Sequence, residues 1–264
     1  MPDAIESVGF IGLGIMGRHM AEHILAGGYR LHIYNRSRGN AEALIAKGAI
    51  WHNSPAALAP QCDVIVTIVG YPSDVEQVYF GPDGLIVRAK AGSILIDATT
   101  SSPSVAVRIA KEAADRGLNA LDAPVSGGEV GARDAKLAIM VGGASAAFAR
   151  VKPMLERMGG NIALMGGPGA GQHTKMANQI AIASTMMGVS ECLAYASGAG
   201  LDPATVLKVI GTGAASSFLL NNLAPKMMEG DYRPGFFVKH FIKDLSIALT
   251  EAEQMKLNLP GLTL

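Results

Sequence analysis

Three glycines in the run Gly12-Leu13-Gly14-Ile15-Met16-Gly17 have the spacing of a turn that wraps a pyrophosphate. Gly12 permits the tight turn, Gly14 lets the backbone approach the phosphates, and Gly17 allows a helix to pack closely on its strand. An apolar run precedes the turn and a helical pattern opens at Met16. The helix start therefore offers free N–H groups and a positive dipole end to an anion. The second residue with chemistry in it is Lys175. It opens a helical stretch that carries no charge from residue 176 to 190. A cation beside a helix N-terminus is disfavoured, and partial burial would disfavour it further. Both effects lower a lysine pKa toward the range a general acid or base needs near neutral pH. Asn178 and Gln179 follow three and four residues on, hence on the same helix face, where they can orient Lys175 or a substrate.

These residues need elements to hold them. Short runs rich in Val, Ile and Leu at residues 7–11, 30–34, 64–69, 93–97, 119–122 and 137–141 predict strands covered on both faces. Helical segments alternate with them, and Ser54-Pro55 and Ser102-Pro103 each place a capping hydroxyl before a proline at the first helical position. This alternation predicts a Rossmann-type, doubly wound parallel sheet over residues 1–165. After Gly166-Gly167-Pro168-Gly169-Ala170-Gly171 the strand signal stops. A long interdomain helix and helices over residues 203–211, 216–229 and 238–255 then predict an all-α C-terminal domain over 166–264. Thr99 and Thr100 end the fourth predicted strand, where ligands approach an open α/β sheet.

The end of the second strand reads Asn35-Arg36-Ser37-Arg38, where NAD-preferring sites carry an acidic residue for the ribose 2′-OH. Asn35 removes repulsion of a 2′-phosphate, and Arg36 can pair with it through a planar fork. We read NADP(H) as the preferred cofactor, with NAD(H) admissible; solvated loop charges are the competing reading of the arginines. The same first helix contains His19-Met20-Ala21-Glu22-His23, a zinc-peptidase spacing. That helix is already committed to the cofactor turn, and we read no metal site there.

Bulk properties narrow the class. Lys+Arg and Asp+Glu balance at 22 each, so nothing pulls the chain toward nucleic acid or an anionic membrane surface. Cys62 and Cys192 lack ligand-like spacing, which argues against a disulfide framework and for the reducing cytoplasm. The long uncharged helix is read as a buried core helix rather than a membrane span, because its apolar residues are small and interrupted by Asn, Gln, Ser and Thr.

Four segments in order, Gly9 to Met20, Asp122-Ala123-Pro124-Val125-Ser126-Gly127-Gly128, the Gly169 to Asn178 stretch with Lys175, and Lys243-Asp244-Leu245, resemble the β-hydroxyacid dehydrogenases. That family includes 3-hydroxyisobutyrate dehydrogenase and 2-hydroxy-3-oxopropionate reductase, and the resemblance spans essentially the whole chain. It implies a hydride transfer between a nicotinamide cofactor and a small semialdehyde acid or hydroxyacid, with Lys175 as general acid/base. It implies that Ser126, Gly127 and Gly128 hold the substrate carboxylate through a hydroxyl and backbone N–H groups. It places Thr99, Thr100 and Lys243 against the cofactor and Asp244 beside Lys243. Phe236, seven residues earlier, would wall the pocket. Val69-Gly70 stands where many relatives have Leu-Pro, so the loop at Val69, on the cofactor side, can differ in shape. Relatives pack this domain between subunits, which implies a homo-oligomer, dimer or tetramer. The chain ends at Leu264, before the last helices usual in the family, so the all-α domain is truncated or abbreviated. A non-catalytic dinucleotide-binding module and an imine-reductase-like enzyme are the alternatives. Imine reductases as a rule lack the lysine.

Overall fold

Strands that are apolar at every position are stable only when both faces are covered, and the first, fourth and fifth strands here are buried along their whole length. In the computed structural model, residues 5–233 and 235–264 are described. The chain forms two compact units, Met1–Lys175 and Met176–Leu264.

The first unit begins β1 (Ser7–Ile11), α1 (Gly17–Ala26), β2 (Arg30–Tyr34), α2 (Glu42–Ala46), β3 (Ile50–Trp51) and α3 (Pro55–Leu58). It continues with β4 (Val64–Thr67), α4 (Pro72–Phe80), α5 (Leu85–Arg88), β5 (Ile94–Asp97) and α6 (Pro103–Ala114). β6 (Asn119–Asp122), β7 (Val125–Ser126), α7 (Gly128–Arg133), β8 (Leu137–Gly143), α8 (Ser145–Leu155) and β9 (Gly159–Gly166) complete the sheet. Its order is β3-β2-β1-β4-β5-β6-β8-β7, with β9 on the other edge of β8. Alternate side chains feed two cores. Val64, Val66, Ile94 and Ile96 pack with Met20 and Ile24 of α1, and Ile65 and Leu95 pack with Leu58, Val75, Tyr79 and Ile109.

Every predicted strand is present, with ends shifted by at most two residues. The sheet is not wholly parallel, which corrects the expectation. β8 runs antiparallel to β6 and β7. The link from β7 to β8 holds only the six-residue α7, and a parallel return needs a crossover of roughly a dozen residues or more. Ser54 caps α3 as expected, accepting from Ala57 N at 3.1 Å. Ser102 makes no side-chain cap, its hydroxyl lying 2.7 Å from that of Ser104.

Helix α9 (Ala170–Gly198) starts in the first unit and continues into the second, followed by α10 (Pro203–Ile210), α11 (Phe218–Asn222), α12 (Ala224–Met228), α13 (Val238–Gln254) and α14 (Pro260–Thr263). The single helix expected over 216–229 is two, because Pro225 lacks the N–H that would continue α11. In the second unit Met176 packs with Ala248 and Leu262, and Val189 packs with Leu220 and Ala224. The expectation that α9 is buried all round is overturned. Only a stripe including Met176, Gln179, Val189 and Ala196 is buried, and Tyr195 is 79% exposed. Helices α10 to α14 do not cover it fully, and among the described residues α9 keeps an open flank. By length and composition alone it could cross a membrane.

Candidate active site

The carboxyl ends of β2, β1, β4, β5 and β6 lie side by side, with Tyr34, Ile11, Thr67, Asp97 and Asp122 in register. Loops leaving this edge carry the glycine turn, Asn35, Arg36, Val69, Thr99 and Thr100. The glycine turn leaves β1. Gly12 has φ +100°, and a Cβ there would lie 2.0 Å from the Ile68 carbonyl oxygen. A Cβ on Gly17 would lie 2.0 Å from the Gly12 oxygen, so helix α1 and the turn are in direct contact. A Cβ on Gly14 would meet nothing within 4 Å among the described residues, and Gly14 is exposed. Two glycines are thus required by packing, and the third opens onto space a ligand can take. This cradle fits a dinucleotide phosphate group. Leu13 is buried, while Ile15 and Met16 are half-buried at the start of α1.

Asn35 has a second duty that its lack of charge did not announce. Its Oδ1 accepts from Leu13 N at 2.9 Å and its Nδ2 donates to the Ser37 carbonyl at 2.9 Å, bracing the turn against the loop after β2. Arg36 is exposed on that loop. Beside the turn, Val69 N donates to Thr99 Oγ1 at 2.9 Å, and Thr99 N donates to Asp97 Oδ1 at 3.0 Å. Thr100 follows, half-buried. Asp97 also accepts from Thr67 Oγ1, which meets the Tyr79 hydroxyl at 3.0 Å. Burial raises the Asp97 carboxyl to about 6, with the nearby Asp122 charge pushing the same way and the Thr67 and Thr99 donors opposing it.

At the next strand end, the Asp122 carboxylate reaches the start of α9. Oδ1 accepts from Gly169 N and Oδ2 from Gln172 N, each at 2.8 Å. Gln172 is fully buried; its Nε2 donates to the Thr99 carbonyl at 2.7 Å and its Oε1 accepts from Ser101 N at 3.0 Å. These bonds explain why the first unit extends to Lys175, ten residues past the boundary read from the sequence. Lys175 lies one turn beyond this anchorage and is 7% exposed. From Asp122 the chain runs into β7 and half-buried Ser126, then Gly127 at φ +134° and Gly128 at φ +62°. Only glycine adopts two such consecutive conformations readily, and they leave the backbone free of side chains.

Within the second unit, Asn178 Nδ2 donates to Gln179 Oε1 at 2.8 Å, and Gln179 Nε2 donates to Asp244 Oδ2 at 2.6 Å. Lys243 Nζ stands 3.0 Å from Asp244 Oδ1, off the hydrogen-bonding axis, so this contact is a charge pair rather than a directed bond. Asn178, Gln179, Lys243 and Asp244 therefore form one polar chain. Phe236 is half exposed and rings with His240 and Phe241 at 6.3 and 6.2 Å. Burial, then the Lys243 and Lys239 charges, hold His240 below the usual histidine range. On α1, Glu22 pairs with Lys47, and His23 Nε2 meets the carbonyls of Ala132 and Arg133.

Sequence reasoning missed Asp122, Gln172 and Asp97 as working residues. Asp122 was read only as the first letter of the substrate loop. Gln172, beside His173, Thr174 and Lys175 at the start of α9, gives no local mark of the anchorage.

Comparison with known proteins agrees with this geometry. Residues 7–167 match the family described as the NAD binding domain of 6-phosphogluconate dehydrogenase. Residues 169–264 match that described as NAD-binding of NADP-dependent 3-hydroxyisobutyrate dehydrogenase. The chain is 56% identical to an uncharacterized oxidoreductase of Bacillus subtilis, over 98% of this chain and 90% of that protein. It is 41% identical to the 2-hydroxy-3-oxopropionate reductase of Escherichia coli, over 96% and 87%. A solved Mycobacterium tuberculosis 3-hydroxyisobutyrate dehydrogenase superposes with TM-score 0.90 at 27% identity, covering 98% of this chain and 90% of that one. With a glycine cradle on a Rossmann sheet and both family matches spanning the chain, this protein belongs to the β-hydroxyacid dehydrogenase family and is an NAD(P)-dependent oxidoreductase.

Proposed function

We propose that the chain interconverts a small semialdehyde acid and its hydroxyacid with NADP(H), using Lys175 as the general acid/base. The observation that carries this reading is a buried lysine one turn into a helix whose start is fastened to the strand ends beside the dinucleotide turn. When bound, the nicotinamide supplies or accepts the hydride at the substrate carbon. Lys175 gives its proton to the carbonyl oxygen in reduction and takes it from the hydroxyl in oxidation. Its burial excludes competing water and strengthens its interaction with the developing alkoxide. Ser126 Oγ and the N–H groups of Gly127 and Gly128 hold the substrate carboxylate, giving specificity for an acid without a paired cation.

The NADP(H) assignment rests on Arg36 and on the neutral Asn35. The relatives named for 3-hydroxyisobutyrate and 2-hydroxy-3-oxopropionate support the substrate class. The test is turnover of a panel of semialdehyde acids, followed by nicotinamide absorbance, in the parent and in Lys175→Ala. Loss of the proton donor is expected to lower kcat by about 10²–10⁴-fold with folding intact. Full turnover without Lys175 would refute the mechanism. Titration of both reduced cofactors accompanies it, and tighter binding of NADH than NADPH would overturn the cofactor assignment.

A further inference from the structure

The Asp122 side chain has no place in the chemistry just described, yet it is nearly inaccessible and uses both carboxylate oxygens on the backbone of a distant segment. The space around it is closed. A Cβ on Gly142 would lie 2.5 Å from Asp122 Oδ1, and one on Gly171 would lie 2.8 Å from Oδ2 and 2.3 Å from the Met140 carbonyl oxygen. Gly142 and Gly171 are therefore both glycines where β8 and the first turn of α9 close around this carboxylate. A carboxylate at a helix start also complements the positive dipole end. Burial raises the Asp122 carboxyl, opposed by the N–H groups of Gly169 and Gln172, so those bonds favour the charged form in a dry site.

The covalent arrangement gives this cap a consequence. Asp122 ends β6 only four residues before Ser126, and it grips Gly169 and Gln172, the latter three residues before Lys175. The carboxylate-binding loop and the proton-transferring lysine must address the same small substrate, and this side chain links their two segments within one unit. Gln172 adds a second fixed point, on the Thr99 to Ser101 loop beside the cofactor turn.

We propose that Asp122 is a positioning residue for Lys175, setting the placement of the first turn of α9 relative to the Ser126-Gly127-Gly128 loop. This rests on the reading of Lys175 as the general acid/base. Asn at position 122 has the same shape but only one acceptor oxygen, so either Gly169 N or Gln172 N would face an amide donor. The turn then shifts, and misplacement of a catalytic group by about 1 Å can cost roughly 10²-fold in rate.

The experiment is a double-mutant cycle of Asp122→Asn and Lys175→Ala on the whole chain, with cofactor affinity measured by NADPH fluorescence. Asp122→Asn is expected to lower kcat by about 10- to 100-fold while NADPH affinity stays at the parent level. In the Lys175→Ala background the same substitution is expected to cost little more, because its effect acts through the missing amine. Parent-like kcat in Asp122→Asn would overturn the proposal. So would an undiminished penalty in the Lys175→Ala background, which marks a purely structural role. Should Asp122→Asn not fold, Asp122→Ser, whose smaller side chain leaves one hydroxyl acceptor for two N–H groups, is run through the same cycle with the same two outcomes. Full turnover of Lys175→Ala alone would remove the underlying reading, and the proposal with it.

Discussion

Asp97 shows how a single buried carboxyl can tie stability to pH. Thr67 Oγ1 and Thr99 N both donate to its Oδ1, each at 3.0 Å. Burial lifts its carboxyl from the ordinary 3.8 to about 6. The folded state therefore binds more protons than the unfolded chain between those values, and stability falls as pH rises from roughly 4 to 6. A rise from 3.8 to about 6 corresponds to on the order of 3 kcal/mol. Asp97→Asn keeps the Oδ1 acceptor and removes the buried charge. Thermal melts at either end of this window are expected to differ less in the variant than in the parent, with the variant more stable at the higher pH. An unchanged pH dependence would show that Asp97 titrates normally in the fold. At this scale the sequence reveals residues whose type clashes with their surroundings, such as Lys175 at the head of an uncharged helix. It does not reveal Asp122, because a bond to Gly169, 47 positions away, leaves no local pattern. Asn35 lies between these cases: its missing charge is visible, and its brace on Leu13 N is not.

The glycine turn separates packing from binding within one short element. A methyl on Gly17 would strike the Gly12 oxygen and Ile68 Cγ2, so Gly17→Ala is expected to destabilise the fold by about 1–3 kcal/mol. A methyl on Gly14 meets nothing among the described residues, and Gly14→Ala is expected to melt with the parent. Its cofactor affinity should nonetheless fall, because the methyl fills the space the pyrophosphate needs. Melting curves and NADPH titration of the two variants check this opposition. Parent-like affinity in Gly14→Ala would place the phosphates elsewhere. The same scale explains which elements were readable. β1, β2, β4, β5 and β6 are four or five residues long and hold two or more apolar residues each, enough for a pattern. β3 and β7 are two residues long, and β9 begins and ends in glycine, so none of them announces itself. The antiparallel course of β8 follows from the length of a connection, which periodicity does not encode.

Two domains were legible in the whole molecule because strand signals stop where the glycine-rich segment at 166–171 begins. The exposure of α9 was not legible, since a helix apolar on all sides gives the same sequence whether its cover comes from its own chain or another. Besides Tyr195, the described residues expose Val209, Phe218, Val238 and Ile242 in the second unit. Large apolar side chains left open to solvent commonly mark a protein interface when they gather on one face. We therefore predict a homo-oligomer, dimer or tetramer, with the open flank of α9 at its interface. Sedimentation analysis should find the parent above the monomer mass. Tyr195→Glu places a charge on that flank without touching the buried stripe, so it should shift the distribution toward monomer while the Rossmann unit still binds NADPH. A parent that sediments only as monomer would refute the association. A Tyr195→Glu oligomer as tight as the parent would keep the association and move the interface off this flank.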